Sequence, residues 1–345
     1  MASDSDLKSF LRKLPKAELH LHLEGALCSH RVAELAKKYG VELAHAEIHQ
    51  RYNTRGFAQF LELYKWATSF LREPDDYAHL AEDTCSNLRE QGVVYAEITL
   101  SIGVMLLRKQ DVRANFRAIH DVFEEKFRAA QGPRIQFVFD AIRQFGQAPA
   151  KEIVELAAEH RTSGVVAFGL GGDELSLPLA DFQPAYERAA SAGLHLLVHA
   201  GETGGPDQIR DAIDLLGAER IGHGIAAIRD PTLMTRLSQR KTPLEICPTS
   251  NLRTNALNIQ LNATDVSLID HPLPKLFRAG IPISLSTDDP AMFHTNLVDE
   301  YFHAHQMGLS LDELLQINRA AFEQSFLSPE QRAILLAQLK NYRPS

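Results

Sequence analysis

The chain has 345 residues, of which 45% are hydrophobic, 23% charged and 8% aromatic, a balance that excludes a disordered chain. Its formal net charge of −8 argues against a nucleic-acid surface, and no apolar run reaches the roughly 18 residues that a membrane span needs. Three widely spaced cysteines without a CxxC, and an N-terminus lacking an apolar signal core, exclude a disulfide framework and a thiolate zinc site, and make the cytoplasm the expected location.

In chain order, short apolar runs alternate with longer amphipathic stretches. The runs at 17–22, 93–100, 135–141, 165–170, 195–199, 220–222, 243–247 and 282–286 predict eight strands. Helices are predicted at 32–39 and 57–71 after the first strand and at 76–91 before the second. Further helices fall at 112–130, 150–160, 181–192, 207–216, 231–240 and 274–279, and two more at 311–326 and 329–339 close the chain. Eight such alternations over one uninterrupted chain predict an α/β fold, a single (β/α)8 TIM barrel spanning 1–345. An open doubly wound sheet is disfavoured because the glycines at 169–172 lack the phosphate-binding spacing. The 25–71 excursion is longer than a minimal connection and predicts a lid over the catalytic face.

Function in a barrel collects at the carboxyl ends of the strands. Four predicted strand ends carry histidines or carboxylates: His20-Leu21-His22, His199-Ala200-Gly201-Glu202, Gly222-His223-Gly224, and Asp288-Asp289. On a strand, residues i and i+2 share a face, so His20 and His22 form half a metal site. His199 can supply a third nitrogen, and Glu202, in a glycine turn, is placed for proton transfer. Of the adjacent aspartates, one can bind metal while the other faces substrate. Alone, each feature also reads as a buried histidine, a helix N-terminal acid or an Asp-Pro turn; together they favour a metal site. His303-Ala304-His305 lies in a predicted helix, where i and i+2 point about 200° apart, and is not expected to chelate. His45 and His49 have helical spacing but no correctly placed glutamate and read as surface residues.

These blocks resemble the adenosine deaminase family of the amidohydrolase superfamily. The matching text is 15–25 (PKAELHLHLEG), 172–174 (GDE), 199–202 (HAGE), 220–224 (RIGHG), 247–251 (CPTSN) and 286–290 (STDDP), in family order. The resemblance implies a (β/α)8 barrel with one catalytic metal, usually zinc, ligated by His20, His22, His199 and Asp288. No lysine ends the fourth strand to bridge a second metal. It implies Glu202 as proton shuttle to purine N1, and His223 as the residue that polarises the attacking hydroxide. It also implies that Asp289 orients that hydroxide and contacts N7, with the Gly172 N–H on N3. Substrate and water are the only partners implied.

Glu24 stands where adenosine-specific relatives carry an aspartate that meets the ribose 5′-hydroxyl. Relatives with Glu there include adenine deaminases and deaminases of 6-amino-6-deoxyfutalosine, a nucleoside with an enlarged 5′ group. Gly222, where the adenine enzymes tend to carry Asp, favours a nucleoside. The expected reaction is hydrolytic deamination of adenosine or 2′-deoxyadenosine, with the futalosine-type nucleoside and then adenine as alternatives, and a non-catalytic nucleoside-binding relative as a different class. Phe57, Phe60 and Leu61 fit an apolar lid, and equally the i, i+3, i+4 face of a buried helix.

Overall fold

Eight parallel strands follow one another around a ring in the computed structural model, which describes residues 4–342. They are β1 (Lys16–His22), β2 (Val93–Leu100), β3 (Arg134–Ile142), β4 (Val165–Gly171), β5 (His195–Ala200), β6 (Arg220–His223), β7 (Leu244–Ile246) and β8 (Ile283–Leu285). Each pairs in parallel with the next. The ring closes just beyond β8: the His22 N–H donates to the Asp288 carbonyl at 2.9 Å, and the Asp288 N–H to the His20 carbonyl at 3.0 Å. The fold is the TIM barrel expected from the alternation.

The strands are buried along nearly their whole length; β2 and β4 accordingly read as near-continuous apolar runs, whereas β1 alternates apolar residues with the equally buried Lys16, Glu18, His20 and His22. Helices cover the outside. On helix Val112–Arg128, Phe116 meets Phe137 and Phe139 of β3 edge-on, with ring centroids 5.2 and 5.1 Å apart. Cutting such a buried ring back to alanine costs about 3–5 kcal/mol.

The 25–71 excursion folds into helices Ser29–Lys38, His45–Tyr52 and Phe57–Thr68. Gly56, at φ 86°, starts the last of these in a conformation that a side chain resists, and its N–H donates to the Arg253 carbonyl at 2.8 Å. That bond ties the excursion to the segment after β7. At the other end, helix Leu311–Gln324 packs against β1 and β8 and backs the seam of the barrel.

Candidate active site

At the carboxyl ends of β1 and β5 and just beyond β8, His20, His22, His199 and Asp288 converge. Each offers one ligand atom, and these atoms lie within 4.8 Å of one another. Among the described residues this is the one such group of three or more metal-competent side chains. The Asp288 Oδ1 lies 3.4 Å from both His20 Nε2 and His22 Nε2, and the two Nε2 atoms of His22 and His199 are 3.2 Å apart.

Outer partners aim these donors inward. The Nδ1 of His20 is held by Glu245 of β7 at 2.7 Å, and its buried Nε2 has no hydrogen-bond partner. The Nδ1 of His199 faces the Leu170 carbonyl at 3.2 Å, which makes Nδ1 the protonated nitrogen and leaves Nε2 bare. Ser250 donates to Asp288 Oδ2 at 2.6 Å. Burial pushes the His22 pKa down to about 4, and burial with the neighbouring imidazoles drives His199 far down. Burial also opposes charge on His20, but the adjacent carboxylates of Asp288 and Glu245 prevail and raise its pKa to about 10. A cluster that draws a proton onto one of its own donors suits a cation.

Gly222 lets the imidazoles crowd together: a Cβ there would sit 2.8 Å from the His20 ring. Asp288 and His223 both hold positive φ, 66° and 60°. Such strained backbone at non-glycine residues concentrates at functional sites, where surrounding structure enforces it.

Glu202 sits on the loop after β5, and Glu174 builds that loop. One Glu174 oxygen accepts the N–H groups of Glu202 (2.8 Å) and Thr203 (3.3 Å), and the other those of Gly201 (2.8 Å) and Gly204 (3.1 Å). Thr254 donates to Glu202 Oε1 at 2.9 Å, while Oε2 lies 3.7 Å from His223 Nε2. Burial first, then the charges of Asp288 and Glu174, push the Glu202 pKa well above the usual carboxylate range. That environment favours the protonated carboxyl over the carboxylate.

Asp289 is buried, with Oδ1 unpartnered, and burial together with Asp288 raises its pKa as well. Gly25 backs it so closely that a Cβ would fall 2.0 Å from Oδ1. Gly172, at φ 92°, lines the same cavity.

The cavity above these groups has a volume of ≈ 1190 Å³. His22, His199, Glu202, His223, Asp288 and Asp289 form its floor, and Phe57, Phe60, Leu61, Tyr64 and Trp66 of the lid helix form one wall. Phe60 serves both readings of its spacing: it lines the cavity and packs on Phe293, with centroids 4.8 Å apart. Glu24 is buried beside this wall: its carboxylate accepts the Ser101 N–H at 3.1 Å and the Tyr64 hydroxyl at 3.4 Å, and those two residues line the cavity.

Sequence reasoning did not assign Glu245, Ser250, Thr254 or Asp140. Asp140, at the end of β3, lines the cavity with a buried, unpartnered Oδ1 and a pKa raised by burial. Ser250 lies inside the 247–251 block, which was a usable signal. As expected, His303 and His305 stand apart from the cluster on helix Leu297–Gln306, bonded to Gln306 and the Leu309 carbonyl.

A family model described as Adenosine deaminase matches residues 15–342. The chain belongs to the adenosine deaminase family. An aminodeoxyfutalosine deaminase of Streptomyces avermitilis is 37% identical over 344 residues, covering 98% of this chain and 93% of that protein. An adenine deaminase of Sinorhizobium medicae is 35% identical over 327 residues, covering 94% and 98%. The crystal structure of an adenine deaminase from Arthrobacter aurescens superposes with a TM-score of 0.88 at 28% identity, covering 95% and 98%. This family member is thus a deaminase acting on an aminopurine-type substrate. These relatives are named for adenine and aminodeoxyfutalosine, which moves the substrate reading away from adenosine. No helix of the described residues is long and apolar enough to cross a membrane.

Proposed function

We propose that this deaminase hydrolyses the 6-amino group of a purine nucleoside with an enlarged 5′ substituent, of the 6-amino-6-deoxyfutalosine type. The observation that carries the substrate class is the cavity. At ≈ 1190 Å³ it exceeds the roughly 300–1,000 Å³ of ordinary small-molecule sites, and a free adenine would leave most of it to solvent. The 37% identity to an aminodeoxyfutalosine deaminase supports the same reading.

One divalent cation, zinc by the donor set, fits His20, His22, His199 and Asp288: three imidazoles with their inner nitrogens available and one carboxylate. When bound, such a cation lowers the pKa of a water to about 7. The remaining roles belong to the chain itself. The Glu202 carboxyl delivers its proton to ring N1 as water oxygen adds to C6, so the ring does not carry an unbalanced negative charge. The Asp289 carboxyl faces N7, and the Gly172 N–H faces N3. His223 lies beside the oxygen that adds. The Glu202 carboxylate then takes the proton of the hydroxyl now on C6 and passes it to the amino nitrogen, so the C6–N bond breaks, ammonia leaves and the 6-oxopurine remains.

The test compares kcat/KM for 6-amino-6-deoxyfutalosine, adenosine, adenine and N6-methyl-AMP by ammonia release, on protein of known metal content. The futalosine-type nucleoside is expected to lead by about tenfold or more. Preference for adenine or adenosine would overturn the substrate class but leave the chemistry standing.

A further inference from the structure

We infer that Asn251 and His271 are positioning residues that fix the tautomer of His223, so that His223 presents an N–H, not a bare nitrogen, to the reacting oxygen. This rests on the reading above that water adds to C6 beside His223.

The argument is a chain of hydrogen bonds whose polarity is set at one end by the backbone. The Leu273 N–H, at the start of helix Leu273–Arg278, can only donate, and it meets His271 Nδ1 at 3.0 Å. His271 Nδ1 is therefore the acceptor, and its single proton sits on Nε2. A doubly protonated ring would oppose the amide with a second donor. Burial, with the nearby His223, also holds the His271 pKa down to about 3.

The Nε2 of His271 lies 3.2 Å from Asn251 Oδ1. Because that nitrogen is a donor, the Asn251 carbonyl must face it, and the amide cannot flip. The NH₂ of Asn251 then points the other way, 3.0 Å from His223 Nδ1. An amide NH₂ can only donate, so His223 Nδ1 accepts and the proton of His223 resides on Nε2. That nitrogen faces two oxygens across the cavity floor, Glu202 Oε2 at 3.7 Å and Asp288 Oδ2 at 3.8 Å. Asn251 and His271 are both buried, so water does not compete for these bonds.

The consequence for chemistry is a division of labour. A histidine with Nε2–H cannot take a proton from water; it can donate a hydrogen bond to oxygen as negative charge develops there. Proton carriage falls to Glu202, whose buried carboxyl can hold one.

The experiment replaces Asn251 with Asp. A carboxylate accepts from both neighbours, so His223 must turn its proton to Nδ1 and present a bare Nε2. In the Ser-His-Asp triad, offering the wrong tautomer costs about 10⁴ in kcat. A loss of about 10³–10⁴-fold is expected for N251D, with KM within about threefold and metal content unchanged.

The tautomer itself is read from two-bond ¹H–¹⁵N correlation spectra of histidine-labelled protein, with the His223 signals assigned by their loss in His223→Gln. The wild type should show a protonated Nε2 and a bare Nδ1, and N251D the reverse. His271→Phe, which frees the Asn251 amide to flip, should show both forms. A wild type with its proton on Nδ1, or an N251D variant with full kcat, overturns the proposal. The spectra need no substrate. A wild type inactive on every purine would therefore defeat the functional reading while the tautomer is still decided.

Discussion

Glu174→Gln tests the loop that carries the proton shuttle. In the wild type a single buried carboxylate accepts four backbone N–H groups, two on each oxygen. Glutamine keeps one carbonyl oxygen, which can hold one pair of donors. Its NH₂ then faces the other two N–H groups, leaving two buried donors unsatisfied. Each costs about 1–3 kcal/mol, or about 2–6 kcal/mol for the pair. Removing a charge whose burial was itself unfavourable offsets part of this, since burial raises the Glu174 pKa. The net expectation is a loss of about 2–4 kcal/mol. Much of it should appear as local opening, because the four donors all lie in residues 201–204. Urea unfolding at matched metal content measures the global part, and amide exchange at 201–204 the local part. Activity should fall as well, since a misplacement of about 1 Å can cost about 10²-fold. A variant that loses less than about 0.5 kcal/mol, keeps its exchange protection and retains wild-type kcat would refute the reasoning.

Glu202→Gln preserves shape and can still accept from Thr254, but carries no transferable proton; kcat should fall about 10²–10⁴-fold at full metal occupancy, and wild-type turnover would remove Glu202 from the mechanism. Metal binding should release a proton, because the metal-free His20 has a pKa raised to about 10 whereas His22 and His199 are already neutral at pH 7. Apparent affinity then rises about tenfold per pH unit below that value; calorimetry in buffers of different ionisation heat counts the proton, and a count of zero contradicts the prediction. Glu245→Gln weakens the anchor of His20 Nδ1 and one of the carboxylate partners of Arg220, and should lower metal affinity about 10–100-fold in a chelator competition; an unchanged affinity would show the anchor to be dispensable. Gly25→Ala must displace Asp289 because of the 2.0 Å approach, so kcat should drop about 10²-fold with metal retained; normal turnover would mean that Asp289 can move without consequence.

The barrel was legible because strands buried on both faces, such as β2 and β4, are near-continuous apolar runs that alternate with amphipathic stretches. β2 falls where expected, β1 and β4 differ by one residue at one end, and β3 by one residue at each end. The last two strands each lose one expected residue at either end and keep three. Helices such as Ile102–Leu107, Pro248–Arg253 and Ala256–Leu261 are too short to print a 3.6-residue period. In the site, residues that touch the cavity floor were readable from strand-end blocks beside glycines. Their supports were not. Glu245 meets His20 across 225 positions, and His271 meets Asn251 across 20, separations with no local pattern. For Glu24 the motif gave the neighbourhood, while its partners Tyr64 and Ser101, 40 and 77 positions away, carry no local pattern.

The seam of the barrel has a consequence for how the molecule is made. Asp288 closes the ring through its backbone and offers its carboxylate to the imidazole cluster, and the His20 N–H reaches Ser286 Oγ at 3.1 Å across 266 positions. A cation held by His20 and Asp288 is therefore a clasp over nearly the whole length of the chain, where loop closure is entropically most demanding. By mass action such a clasp adds about 4 kcal/mol at a thousandfold excess over its Kd. On the ribosome, the first two imidazoles emerge early and the carboxylate almost last. A chain broken off before residue 288 would keep the three imidazoles of the cluster and lack the residue that joins them to the seam.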